Sequence, residues 1–206
     1  MNSLLNRGTL IITIYAVIAG LILWFTPAEK TLGHVIKYVF FHVSLSYAGI
    51  YSFYLSAFLG LVYLTLRSMK KDAEVFGYWS LLLGRVTIVV WAVSVAISIY
   101  AMQLAWGQII LTEPLTVFVL IVLALVVGKE LIIWDKGLKV ASVANILIAV
   151  VIFFIRPSVG RIMHPDDPIG TSDVSVYKIM SMSLTTLTFV AMILFTYWLV
   201  NNRKVA

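Results

Sequence analysis

The chain has no cysteine. That excludes a disulfide framework, a CxxC redox pair, a cysteine-ligated iron–sulfur cluster and a covalent c-type haem site of its own. Charge is scarce as well, at 12% of residues. A soluble domain carries roughly twice that fraction. There are three histidines, His34, His42 and His164, and five prolines. No HExxH zinc spacing and no glycine-rich phosphate loop occurs. No run of basic residues suggests nucleic-acid binding. We find neither an internal repeat nor a low-complexity segment. Strand-length alternation of the kind that builds a membrane barrel is also missing.

What is present is apolar. Of 206 residues 62% are hydrophobic, and the mean hydropathy is +1.03. Several runs exceed the ~18 residues that mark a spanning helix. The expected fold is an all-α integral membrane protein, a single six-transmembrane-helix bundle. Its spans are expected at about 9–25, 35–66, 76–101, 114–134, 140–155 and 174–200. The first could be a cleaved signal sequence, but no small-x-small cleavage pattern follows it and the chain reads WFTPAEK instead. The second span, at 1.5 Å per residue, is ~48 Å long against a hydrocarbon core of ~30 Å, so it must tilt or protrude. Arg67, Lys70 and Lys71 close its far end. His42 lies ~37 Å back along the helix from Arg67, near the opposite interface.

Arg85 falls about two turns inside the third span. It is expected to snorkel or to pair with Glu130 at the matching end of the fourth. Residues 102–113 (MQLAWGQIILTE) are expected as a loop lying in the interface. Pro114 suits the first turn of the helix that follows. The longest loop, 157–173, carries His164 in IMHPDDP. Asp166 and Asp167 could suggest a cation site, but their flanking prolines favour a turn. Apart from Arg85 and the span ends the spans read as nearly clean, which disfavours a transporter with ionisable groups at mid-span.

Six spans put both termini on one side. That side collects Arg7, Arg67, Lys70, Lys71, Arg85, Lys129, Lys136, Lys139, Arg203 and Lys204. The other has Lys30, Lys37, Arg156, Arg161 and Lys178. The imbalance places both termini in the cytoplasm and the three histidines on the outer face of the cell membrane.

Each candidate residue on that outer face admits two readings. His42 is either an interfacial histidine hydrogen-bonded to a neighbour or an axial ligand to haem iron. His164 is either a solvated loop residue or a second imidazole from a separate element. Trp106 is either an interfacial anchor or an aromatic wall over a flat macrocycle, with Gly107 permitting close backbone approach. Lys37, close to one turn before His42, meets lipid headgroups or pairs with a propionate as a point charge.

Taken together these residues resemble a known group. Lys37-Tyr38-Val39-Phe40-Phe41-His42-Val43 is similar to the basic-residue, Tyr-x-His-Val opening of the second span in the CcmC-type haem-handling proteins of cytochrome c maturation, relatives of the CcsA cytochrome c synthases. Lys37 stands for the usual Arg and Phe40 for the Tyr. Trp106-Gly107 opens a stretch similar to that family's tryptophan-rich loop. Glu113 stands for its Asp, and the later tryptophans and the Arg are missing. Met163-His164 resembles the context of the second ligand. The resemblance runs from about Gly33 to Tyr177. It implies haem b held by His42 and His164, with Trp106, Gly107, Lys37 and Glu113 around it. It also implies delivery of haem to a CcmE-like haem chaperone, with ABC-transporter subunits as neighbours in the lipid bilayer. That is handling rather than bond-making, and no nucleic acid is involved. The alternatives are a b-type haem electron-transfer subunit, and a haem-free membrane scaffold or permease subunit.

Overall fold

The computed structural model describes residues 2–160, 162 and 173–202. Among these, six helices are long and apolar enough to cross a membrane, and no strand occurs. The protein is a multi-pass, all-helical membrane protein. The helices are α1 (Asn2–Phe25), α2 (Ile36–Ser68), α3 (Glu74–Trp106), α4 (Pro114–Ile133), α5 (Gly137–Ile155) and α6 (Ser175–Asn202). A short 3₁₀ turn, Arg156–Ser158, extends α5.

The largest departure from the expected spans is in α3. It continues to Trp106, so residues 102–106 are helical rather than loop. Nothing in Met102–Trp106 breaks a helix. The first residue that does is Gly107, which adopts φ +71° and closes α3 with its N–H on Gln103 O at 3.0 Å. That left-handed cap needs glycine. Gln103 Nε2 returns a bond to Gly107 O, and the Ile110 N–H points at Met102 Sδ, so the remaining loop folds back over the helix end. α1 begins earlier than expected, at Asn2, and α5 earlier too, at Gly137. Pro114 occupies the first turn of α4, as its missing N–H favours.

α2 and α3 form the central pair. Tyr38 meets Tyr100, Ser46 meets Ser94, a Cβ on Gly49 would touch Trp91, Ser56 bonds Ser80 O, and a Cβ on Gly77 would touch Tyr63. The order runs oppositely along the two helices, so they pack antiparallel through their whole length. Small residues make the approach close. In a bilayer, where no hydrophobic force drives helices together, such packing holds the pair.

α5 packs on α2 and α3, with α4 outside it. α6 packs on the other side of the pair and carries α1 on its outer face. The main core fills the α2–α5 half: Ile50, Phe53, Trp91, Val95, Phe118, Val122, Val126, Ile148 and Ile152. Trp91 is 1% exposed and donates its Nε1–H to Val119 O at 3.1 Å, tying α3 to α4. A smaller cluster of Ile36, Phe40 and Tyr177 joins α2 to α6. Polar side chains stitch the α1–α6 side. Tyr15 Oη lies 3.1 Å from Thr188 Oγ1, and Tyr177 donates to Ala28 O at 3.0 Å.

Candidate functional site

The start of α2, the end of α3, the start of α4 and the end of α5 lie at one end of the bundle, called here the His42 end. His42 is half-buried on the α2–α3 seam. Its Nδ1 lies 3.0 Å from Tyr38 O. A carbonyl can only accept, so Nδ1 carries the proton and donates. The neutral ring then has its lone pair on Nε2. The carbonyl of His42 accepts from Ser94 Oγ at 2.8 Å, and Ser94 in turn lies 2.8 Å from Ser46 Oγ. The seam thus orients the backbone of His42, and its own helix orients the ring. Tyr38 and Tyr100 stand beside it as an edge-to-face pair, centroids 5.3 Å apart, and both rings are exposed. This aromatic pair was not anticipated from the sequence. The signal available was Tyr38, one helical turn before His42.

Trp106 is the last residue of α3 and is half-buried. It lies six residues past Tyr100, ~9 Å further along the axis. The antiparallel register therefore sets it level with the turn before α2, around His34, rather than with His42. His34 is exposed in that turn. Gly107 has open space where a side chain would stand, and its conformation rather than a close neighbour calls for glycine.

Lys37 is half-buried and donates Nζ to Trp24 O at 3.1 Å. It satisfies a terminal carbonyl of α1, one of the four that every helix leaves unpaired. Glu113, at the N-terminus of α4, is 1% exposed. Its Oε1 accepts the Ile162 N–H at 3.2 Å. This bond pins the loop after α5 to the start of α4, two residues before His164. His164 itself lies outside the described residues, as do Arg161, Asp166 and Asp167. Arg156 stands over the Tyr47 ring at 5.3 Å, and Lys178 is exposed on α6. Among the described residues no cluster of three or more His, Asp or Glu that could hold a metal ion occurs.

Between α1 and α2, outside the spans, Glu29 organises the turn. Its Oε2 accepts the N–H groups of Leu32 and Thr31, each at 2.7 Å, and an isolated bridge pairs Glu29 with Gly33. Those donors, Leu32 first, hold the carboxyl below the usual glutamate range.

At the opposite end, called here the Arg67 end, the expected Arg85–Glu130 pair is present. The guanidinium also lies over the Trp134 ring at 4.9 Å. Beside that pair two further polar side chains are buried. Lys129 is 8% exposed and Asn145 5%. Lys129 Nζ donates to Asn145 Oδ1 at 2.9 Å, and Asn145 Nδ2 donates to Ser80 O and Ser80 Oγ at 2.9 and 3.1 Å. Asn145, an amide in the middle of VASVANILIAV, was the signal for this network.

No family model, curated protein or solved structure matches the chain.

Proposed function

We propose that the chain binds haem b at the His42 end and presents it for cytochrome c biogenesis. In this reading both termini are cytoplasmic, and the His42 end faces outward from the cell membrane. One observation carries it. The Nδ1–H of His42 is committed to a backbone carbonyl, the arrangement that fixes tautomer and ring angle in metal-ligating histidines and raises the basicity of Nε2. A half-buried imidazole oriented this way, beside two exposed tyrosine rings, fits an axial ligand with an aromatic flank.

His164 is the proposed second ligand. The Ile162–Glu113 bond supports it, because it anchors the loop that bears His164 at the same end. Trp106 and Gly107 form the far edge of the site, and Glu113 acts through the loop it holds. Lys37 is the proposed propionate partner and would exchange its bond to Trp24 O for that role. Haem held here supplies a flat, redox-active iron centre, and the chain supplies ligands, orientation and a lipid-facing shelter. The proposed recipient is a haem chaperone of the CcmE kind, with ABC-transporter subunits alongside.

The test is the visible spectrum of the purified protein, oxidised and dithionite-reduced. A Soret band with low-spin α and β bands is expected. His42→Ala should lose haem or turn the spectrum high-spin. Unchanged occupancy and spectrum in both His42→Ala and His164→Ala would sink the ligand assignment. A colourless protein that takes up no added haem would sink the function.

A further inference from the structure

At the Arg67 end two basic side chains converge on one carboxylate. Lys129 Nζ lies 3.5 Å from Glu130 Oε2. Glu130 thus stands between two basic side chains, Arg85 and Lys129. Of the two, the Arg85 guanidinium keeps its charge at any accessible pH. Asp135, the nearest further acid in the chain, pairs with Lys136 at 3.2 Å and is exposed. One carboxylate therefore serves two basic groups at this end.

Arg85 is also short of acceptors. Among the described residues it hydrogen-bonds through Nε alone, to Glu130 Oε1. Its face rests on Trp134, and its side chain is 32% exposed. The terminal nitrogens, with four N–H donors in a planar fork, have no acceptor in the described chain. Glu130 and Trp134 draw the guanidinium toward the end of α4, where a tryptophan marks the headgroup level. A planar fork whose terminal donors have no acceptor in the described chain suits, at that level, a phosphate oxygen pair.

We infer that Arg85, held by Glu130 and Trp134, is a binding site for one phosphate-bearing anion in the leaflet at the Arg67 end. The chemistry is shared by an acidic phospholipid headgroup and a free phosphate. The site is independent of the haem reading. It also differs from the exposed cations of the α2–α3 turn. There Arg67, Lys70 and Lys71 share an open cleft of about 400 Å³ with Asp72 and Glu74, which offset much of their charge.

The experiment places the full chain in nanodiscs of phosphatidylglycerol and phosphatidylcholine in equal amounts and counts retained lipids by native mass spectrometry. Wild type should enrich phosphatidylglycerol about fivefold, the scale of one cation at a membrane surface. Arg85→Gln should abolish the enrichment, and Arg67→Gln should keep it. Trp134→Leu, at an exposed helix end, leaves the interior packing alone and should lower the enrichment. In detergent, inorganic phosphate raising the melting temperature of wild type but not of Arg85→Gln would identify a free anion as a ligand. Stabilisation by phosphatidylglycerol alone would identify the lipid. No enrichment in wild type with no phosphate effect would overturn the proposal. So would unchanged enrichment in both Arg85→Gln and Trp134→Leu, a comparison that stands even if one variant misfolds.

Discussion

Replacing Asn145 with leucine, a side chain of similar shape, removes three hydrogen bonds at once. Two are neutral and run to Ser80 on α3. Cross-helix bonds of that kind average about 0.6 kcal/mol in a bilayer, so together they contribute about 1 kcal/mol. The third accepts from Lys129, which is 8% exposed. A bond to a charged group contributes about 1.5–3 kcal/mol, and losing it leaves a buried amine short of an acceptor. Asn145→Leu should therefore cost about 3 kcal/mol. Lys129→Met keeps the aliphatic stem and removes the donor. In that background Asn145→Leu should cost only about 1 kcal/mol, giving a coupling of about 2 kcal/mol. Reversible unfolding of all four proteins in mixed micelles reads this directly. A coupling below about 0.5 kcal/mol, within the error of additivity, would refute the Lys129–Asn145 bond as a stabilising contact.

Two further outcomes rest on single contacts. Gly49→Ala places a Cβ 2.9 Å from Trp91 Cε3, a ring fixed by burial and by its bond to Val119 O, so it should destabilise by about 1–3 kcal/mol in the same assay. Glu29 has its folded-state pKa lowered by the Leu32 and Thr31 N–H groups, so its contribution to turn order is present above the ordinary glutamate pKa and is lost as pH falls through the folded value. Carbon NMR titration should give a Glu29 midpoint below that of a free glutamate, and Glu29→Gln should remove the acid-dependent rise in amide exchange at Leu32.

The six spans and the Arg85–Glu130 pair were legible because each rests on one-dimensional information. Spans follow from run length, and the ion pair follows from two charges at matching depth on neighbouring helices. The end of α3 was not legible. Residues 102–106 suit a helix or an interfacial loop equally, and Gly107 decides the matter through a backbone angle that composition does not reveal. The level of Trp106 was hidden for a different reason. It depends on the α2–α3 register, set by small residues such as Gly49, Ser56 and Gly77 meeting Trp91, Ser80 and Tyr63. The burial of Lys129 was not legible, because a lysine four residues from a helix end ordinarily reaches for the surface. Here Asn145 on α5 offers it an acceptor inside instead.

The depth of His42 follows from a mismatch of helix lengths. α4 and α5 have 20 and 19 residues, ~30 and ~28 Å, which match the hydrocarbon core. α2 has 33 residues, ~50 Å, and cannot be contained by it. The contacts of α5 say where the excess lies. Leu138, at its start, reaches Gly77, across from Tyr63. Arg156, at its end, reaches Tyr47. α2 therefore runs ~16 Å past the end of α5 on the His42 side, from Tyr47 to Ile36, and only ~7 Å past its start. His42 stands ~7 Å beyond Tyr47, in the overhang. Tyr38, Tyr100 and the turn at His34 lie further out still. A flat amphipathic ligand here would have its apolar face against the seam and its charged edge among headgroups, without entering the bundle. Under the proposed haem reading, that would separate this site from one that clamps haem between helices at mid-membrane. The overhang also explains why the bonds of Lys37 to Trp24 O and of Tyr177 to Ala28 O are needed. Beyond the end of α5, α2 has lost one of its flanking helices, and the α1–α2 turn and α6 hold it in that helix's place.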